Sequence, residues 1–184
     1  CISRSVGYMA QDDALYPDLS GAQNLRFFAA LYGLRGAASR AAMARVFALT
    51  RLQGEETKRV RHYSGGMRKR LSLAAALLHE PPILILDEPT IGIDPVLRAE
   101  FWDEFRRLRA AGSTLLLSTH VMDEADRCDL LALIFDGRLL AYGTPAEIRA
   151  SVGAGTTEDA FLALRARSAE PQPSGTPSRE APRA

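Results

Sequence analysis

The stretch ILILDEPT at residues 83–90 decides the fold class. Its four consecutive apolar residues, with no polar alternation, are typical of a strand that is buried on both faces of a parallel sheet. The strand ends in Asp87, which can hold a Mg²⁺ ion that bridges phosphates, and the next carboxylate, Glu88, can accept a hydrogen bond from a water molecule and orient it. The structural alternative for this motif alone is a strand followed by an acidic turn.

The segments on either side predict alternating helices and strands. Upstream, SGGMRKRLSLAAALLHE at residues 64–80 carries apolar side chains on one helical face and stops at two prolines. Downstream, DPVLRAEFWDEFRRLRAAG at residues 94–112 predicts a helix that is capped by Asp94, and STLLLSTH at residues 113–120 predicts a second buried strand. This order is typical of an α/β fold in which helices flank a parallel sheet, with ligands at the carboxyl edge of the strands.

Flanking segments extend the prediction to most of the chain. VGYMA, near the amino terminus, predicts a short strand, and a helical insertion is expected over about residues 20–80. LLALIF and RLLAYG flank Asp136 and Gly137, a pair that indicates a hairpin. Residues 1–167 are predicted to form one partial domain, and 168–184, rich in Pro, Ser, Glu and Arg, a disordered tail.

The composition is that of a soluble globular protein with one core, since 47% of the 184 residues are apolar and 24% are charged. The net charge of +1 gives no support to bulk attraction of nucleic acid. Two cysteines are too few for a disulfide framework, and no apolar run approaches the roughly 20 residues of a membrane helix. The low cysteine count favours a cytosolic compartment, and no signal peptide is visible. The chain opens on Cys1 rather than Met, so a truncated start is expected.

Further polar residues are candidates for the same site, and each has an ordinary structural alternative. Ser64, Gly65 and Gly66 open a helix whose free N–H groups attract an anion, although a plain serine cap explains them as well. Gln11 can reach a metal or a water with its amide oxygen, and His120 can hydrogen-bond a terminal phosphate. A loop glutamine or a lone histidine is nevertheless more often structural.

The basic run Arg68, Lys69 and Arg70 is predicted to be a solvated or partner-facing surface. No aromatic residues interleave with it, as a stacking platform for nucleic acid would require. Asp94, taken alone, is sufficiently explained as a helix cap.

Taken together and in their order, these motifs resemble those of a known family. YMAQ (8–11), YSGGMRKRLSLAAALLHEPPILILDEPT (63–90), GIDP (92–95) and STH (118–120) resemble the Gln loop, signature, Walker B, Asp loop and His loop of ABC transporter ATP-binding subunits. The resemblance runs from residue 5 to about residue 165. Within that family, the chain looks most like subunits of drug or antibiotic exporters whose membrane subunit is a separate chain. Three segments carry this likeness: SGGMRKR, with Met67 where many relatives have Gln, ALYPDLSGAQNLRFFAALYG (14–33) and TTEDAFLAL (156–164).

The resemblance implies a P-loop NTPase-like fold, ATP and Mg²⁺ as cofactors, and a role for each motif residue. By this resemblance, Asp87 coordinates Mg²⁺, Glu88 orients the hydrolytic water, and Gln11 senses the metal and the water. His120 contacts the terminal phosphate, and Asp94 lies at the dimer interface. The ATP of the opposite subunit is bound by the signature residues Ser64, Gly65, Gly66 and Met67. The implied partners are a separate membrane-spanning permease subunit and a second ATP-binding subunit, in a homo- or heterodimer. The implied location is peripheral, at the cytoplasmic face of the cell membrane, and no nucleic acid is expected.

The family's phosphate loop, G-x-x-x-x-G-K-[ST], does not occur in the chain, because neither Lys58 nor Lys69 follows a glycine. It is expected before Cys1, together with the amino-terminal strands and the aromatic residue that stacks on adenine. The chain alone is therefore expected to hydrolyse little ATP. Two alternatives to an exporter ATPase stay open: a non-hydrolytic or degenerate partner subunit that lends its signature to a complete ATPase, and a soluble ABC protein outside transport.

Overall fold

The computed structural model describes residues 5–169, which divide between His120 and Val121 into two compact units. The first unit contains the strands β1 (Val6–Met9), β2 (Ile83–Asp87) and β3 (Thr114–Ser118), the helices α1 (Gly21–Leu31), α2 (Gly36–Leu49), α3 (Gly65–Leu77) and α4 (Pro95–Ala110), and a 3₁₀ turn at Val60–His62. The second unit contains α5 (Met122–Ala125), β4 (Leu131–Phe135), β5 (Arg138–Gly143), α6 (Pro145–Val152) and α7 (Thr157–Ala169).

The three strands of the first unit form a parallel sheet in chain order, with helices in the connections, which confirms the predicted α/β architecture. The register pairs Met9 with Leu86 and Asp87 with Ser118. The carboxyl ends of all three strands therefore meet at one edge of the sheet, where the predicted site residues follow.

One face of this sheet is much more buried than the other in the described part of the chain. Leu84 and Leu86 of β2 are inaccessible to solvent, whereas Tyr8 and Leu116, aligned across the opposite face, are 54% and 61% exposed. The prediction that β2 and β3 are buried on both faces is therefore wrong for the described residues. A continuous apolar run places apolar side chains on both faces, but the cover of each face depends on other segments.

The buried face packs against α3, most of whose residues are buried. Gly7 of β1 lies so close to this helix that a Cβ added to it would stand 2.3 Å from the carbonyl O of Ala76. His79, which follows α3, has its Nε2 3.1 Å from the Val6 carbonyl O, at hydrogen-bonding distance. These contacts hold β1, and with it the start of the loop that carries Gln11, against α3.

The second unit is built around the predicted hairpin. β4 and β5 are antiparallel, and Asp136 (φ 49°) and Gly137 (φ 71°) form the two-residue turn, which confirms that prediction. The core of the unit consists of Ala125, Leu131, Leu133, Ile148 and Ala160. The helix that follows His120, α5, is only four residues long.

The carboxyl-terminal helix α7 continues to Ala169, two residues beyond the predicted end of the domain. The rest of the predicted tail, 170–184, lies outside the described residues, and a single domain over residues 1–167 stays a prediction. Between residues 5 and 169, no helix combines the length and the apolar character needed to span a bilayer.

Candidate functional site

Asp87 and Glu88 lie at the carboxyl end of β2, where the register sets Asp87 beside Ser118 of β3. The Ser118 hydroxyl donates to Asp87 Oδ1 at 2.5 Å, and the backbone N–H of Glu88 donates to Ser118 Oγ at 3.0 Å. One hydroxyl therefore orders both predicted carboxylate residues. The sequence analysis did not assign a role to Ser118. Its position at the end of β3, the strand that pairs with the strand of Asp87, could have indicated one.

Glu88 adopts a left-handed backbone conformation, with a φ of 49°. Such a conformation costs a non-glycine residue about 1–2 kcal/mol. Glu88 Oε1 lies 2.8 Å from His120 Nδ1, and the side chain of Glu88 is 18% exposed against 63% for His120. With a proton on Nδ1 the imidazole donates to the carboxylate, so the structure brings these two candidate residues together.

Gln11 follows at the same edge of the sheet, two residues after the end of β1. Its side chain is exposed, and its backbone carbonyl O accepts a hydrogen bond from Lys69 Nζ at 2.6 Å. Within the described residues, no hydrogen bond joins the Gln11 side chain to Asp87 or Glu88. The structure therefore places Gln11 at the predicted edge and shows its main chain, rather than its amide, in contact with another element.

The basic side chains Arg68, Lys69 and Arg70 bind to other residues of the same chain. The prediction of a solvated or partner-facing surface is wrong for Lys69, which is 9% exposed, and for Arg70, whose Nη2 pairs with Glu100 Oε2 at 2.7 Å. Arg68 is partly exposed, and its Nε pairs with Asp13 Oδ2 at 3.3 Å. The partners of Lys69 and Arg70 lie 58 and 30 residues away in the chain, so a local pattern does not reveal them.

The signature residues Ser64 to Met67 form the start of α3. Ser64 caps the helix as predicted, and its Oγ accepts a hydrogen bond from the Met67 N–H at 3.2 Å. Gly65 is exposed, and the nearest atom to a Cβ added there would be 3.9 Å away, whereas a Cβ on the half-buried Gly66 would stand 2.9 Å from Leu97 Cδ2. N–H groups in the first turn have no partner inside their helix, so the open surface at Gly65 is chemically suited to an anion.

Asp94 caps α4, as predicted, because its Oδ1 accepts hydrogen bonds from the N–H groups of Val96 and Leu97, each at 3.0 Å. These bonds, that of Leu97 foremost, hold the pKa of the Asp94 carboxyl below its ordinary value. The cleft beside Asp94 is also lined by Ser64, Gly66 and Met67. The predicted site residues thus form two groups, one at the carboxyl edge of the sheet and one at the starts of α3 and α4.

The oxygen donors at the sheet edge are of a chemical type that could hold a Mg²⁺ ion. The carboxylate of Asp87, the amide of Gln11 and the hydroxyl of Ser118 are hard oxygen ligands, which Mg²⁺ prefers. Over residues 5–169, no group of three or more His, Cys, Asp or Glu side chains could enclose a metal. A sparse donor set is expected for Mg²⁺, which is usually held by one or two carboxylates with substrate phosphates and waters.

The chain is similar to known proteins over most of its length. A family model described as ABC transporter matches residues 2–91. The chain is 42% identical over 164 residues, or 86% of its length, to the "Probable multidrug ABC transporter ATP-binding protein YbhF" of Escherichia coli (strain K12). It is 44% identical over 149 residues, or 80% of its length, to the "Daunorubicin resistance ATP-binding protein DrrA3" of Streptomyces coeruleorubidus.

A solved structure shares the arrangement of helices and strands. It is described as "Structure of ATP binding subunit of ABC transporter" and matches with a TM-score of 0.79 and 30% sequence identity, over 88% of this chain and 69% of that chain. The chain spans 28% of the length of YbhF and 47% of that of DrrA3, less than two thirds of either relative.

Proposed function

The chain belongs to the ABC transporter ATP-binding family, and on this premise we propose that it binds and hydrolyses ATP to power an exporter through ATP-driven closure of a dimer. The observation that carries the proposal is the sheet edge, where Ser118 orders Asp87 and Glu88, and Glu88 contacts His120. Two relatives, one named for multidrug transport and one for daunorubicin resistance, support the export of drug- or antibiotic-like compounds.

At the sheet edge, each side chain has a positioning task. Asp87 and Gln11 supply oxygen ligands for Mg²⁺, which when bound neutralises charge on the phosphates. Glu88 accepts a hydrogen bond from the attacking water and orients it. His120 contacts the terminal phosphate, and the bond from its Nδ1 to Glu88 restrains the ring. Positioning and electrostatic stabilisation together supply most of the catalysis in phosphoryl transfer.

The signature residues Ser64, Gly65, Gly66 and Met67 bind, in this proposal, the ATP that is held by a second ATP-binding subunit. Asp94 lies at the interface of that homo- or heterodimer. The open first turn of α3 supports this role, since a helix N-terminus without nearby side chains lets a phosphate approach its N–H groups. A separate membrane-spanning permease subunit completes the assembly, which is peripheral to the cytoplasmic face of the membrane and involves no nucleic acid.

The 184-residue sequence contains no G-x-x-x-x-G-K-[ST] motif. The backbone N–H groups and the lysine of that motif cradle the phosphates, so we expect the isolated 184-residue polypeptide to hydrolyse little ATP by itself. Steady-state turnover equal to that of an intact relative would refute this expectation. Catalytic tests should therefore use the protein as its own gene produces it, assembled with its membrane partner.

Glu88→Gln tests the proposed hydrolysis. The amide keeps the size of the side chain but loses the carboxylate that orients water, so ATP binding should persist while kcat falls about 10²- to 10⁴-fold. Glu80→Gln is the matched control, because Glu80 is an exposed carboxylate that pairs with Arg45 and should leave kcat unchanged. If Glu88→Gln hydrolyses ATP like the wild type, Glu88 is not the catalytic residue and the proposed mechanism is wrong.

A non-hydrolytic partner subunit is the second candidate, since the 184 residues contain a signature but no G-x-x-x-x-G-K-[ST] motif. If this candidate is right, hydrolysis by the native assembly should persist in Glu88→Gln and fall in Gly65→Ala. If the leading proposal is right, both changes should reduce hydrolysis. Co-purification with a permease chain rather than with ribosomes would separate both candidates from a soluble ABC protein outside transport.

A further inference from the structure

Lys69 is a buried cation in the second turn of α3, 9% exposed to solvent. Removing an ammonium group from water is unfavourable unless protein groups replace the lost hydration. Within residues 5–169, the polar partner of Lys69 Nζ is the backbone carbonyl O of Gln11, which accepts its hydrogen bond at 2.6 Å. Hydrogen bonds from charged donors are shorter and stronger than neutral ones, so this contact holds the main chain of Gln11 at a defined place.

The segment 10–19, between β1 and α1, contains no helix or strand, so its conformation depends on contacts from neighbouring elements. Arg68, the residue before Lys69, pairs through Nε with Asp13 Oδ2 at 3.3 Å. Farther along the segment, the buried Asn24 of α1 accepts a hydrogen bond from the Tyr16 N–H at 2.8 Å. Two successive side chains of α3 therefore hold the first half of the segment, and α1 holds the second half.

We propose that Lys69 is a positioning residue for ATP hydrolysis, which sets the place of Gln11 and through it the amide that reaches the metal and the attacking water. The proposal rests on the proposed function, in which Gln11 acts at the sheet edge of its own subunit. Lys69 lies one helical turn after Gly65, so the helix that begins with the signature also holds Gln11. This contact therefore links the position of Gln11 to that of α3.

A double-mutant cycle tests this role in the protein as its own gene produces it, assembled with its membrane partner. Lys69→Met keeps a long side chain and removes the ammonium group. We expect kcat to fall roughly ten-fold while KM for ATP stays within about two-fold, because a misplaced Gln11 affects hydrolysis rather than binding. In the Gln11→Ala background, Lys69→Met should change kcat by less than about two-fold, because residues that act as a unit are not additive.

Three further variants serve as controls for the cycle. Lys58→Met is the matched control and should leave kcat unchanged, since Lys58 is the other lysine of the chain and pairs with Glu55 at an exposed position. Lys69→Arg retains a cationic donor and should restore part of the lost kcat. Asp13→Asn weakens the second contact at a partly exposed position, and it should show the same non-additivity with Gln11→Ala even if Lys69→Met fails to fold.

Two results overturn the proposal. One is an unchanged kcat in Lys69→Met, and the other is a Lys69→Met loss that multiplies with that of Gln11→Ala, because the lysine then only stabilises the fold. For Asp13→Asn, an unchanged kcat or a multiplying loss means that the contacts from α3 to this segment do not position Gln11, which also overturns the proposal. Hydrolysis that survives Glu88→Gln instead overturns the proposed function, so the two failures are distinguishable.

Discussion

Replacing each signature glycine with alanine separates the stability of α3 from the use of its N-terminus. Gly65 and Gly66 are consecutive residues in the first turn, yet the space around them differs. A Cβ on Gly65 would have Arg68 Nη2 as its nearest neighbour at 3.9 Å, whereas a Cβ on Gly66 would stand 2.9 Å from Leu97 Cδ2. Leu97 is buried, so the second methyl group must displace a side chain that packs between α3 and α4.

The expected stabilities follow from this difference. Alanine favours the helix and restricts the unfolded chain, which is worth about 0.5–1 kcal/mol at a compatible position. Overpacking against Leu97 costs about 1–3 kcal/mol. We therefore expect Gly65→Ala to be more stable than the wild type by about 0.5 kcal/mol and Gly66→Ala to be less stable by about 1 kcal/mol.

Urea unfolding measures these stabilities, and ATP hydrolysis by the native assembly measures function. Both variants should lose activity, because a methyl group on the first turn keeps a phosphate away from the N–H groups. Gly65→Ala is the informative variant, since it should be more stable and less active. Wild-type hydrolysis by Gly65→Ala would refute the role of this surface in ATP binding, and a Gly65→Ala protein less stable than Gly66→Ala would refute the packing argument.

Three further predictions concern the sheet and its contacts. Ser118→Ala removes the hydroxyl that orders Asp87 and Glu88, so kcat should fall roughly ten-fold, while Ser118→Thr should stay nearer the wild type; an unaffected Ser118→Ala in steady-state assays contradicts the ordering role. Gly7→Ala sets a Cβ 2.3 Å from a backbone carbonyl O, so the free energy of unfolding should fall by about 3 kcal/mol, and urea unfolding without a loss contradicts the close approach. Burial lowers the pKa of His79 below its ordinary 6.5. As the pH falls, His79 is therefore protonated in the unfolded state before it is protonated in the folded state, which favours unfolding. Stability should be full above pH 6.5 and decline as the pH drops through 6.5 toward the folded pKa, and His79→Gln should flatten this decline in urea midpoints between about pH 5 and 8.

The sheet and the position of its carboxyl edge are predictable from the sequence, because ILILD and TLLLS are short apolar runs separated by an amphipathic helix. Parallel strands end at a common edge, so Asp87, Glu88 and His120 are expected near one another before any coordinates are known. The hairpin is also predictable from a short stretch of sequence, since Asp136 and Gly137 adopt the positive φ values of the turn more readily than most residues.

Contacts between distant segments are not predictable in this way. Lys69 appears in the sequence as one of three adjacent cations, yet its partner is a backbone carbonyl 58 residues away, a group that every residue carries. The role of Ser118 depends on register, because a slip of one residue between β2 and β3 would set a different side chain beside Asp87. The exposure of Tyr8 on the open sheet face likewise depends on what covers that face, which the apolar pattern does not contain.

The left-handed backbone at Glu88 sets heat resistance against the catalytic role that we propose for this residue. Glycine adopts a φ near 49° without the steric penalty that glutamate carries, so Glu88→Gly relaxes the chain while it removes the carboxylate. A directed-evolution experiment that selects survivors of heating alone should therefore enrich inactive Glu88→Gly clones. A library built to stabilise this protein needs ATP turnover as a second selection, because the substitution that relaxes the backbone removes the carboxylate that we propose orients the water.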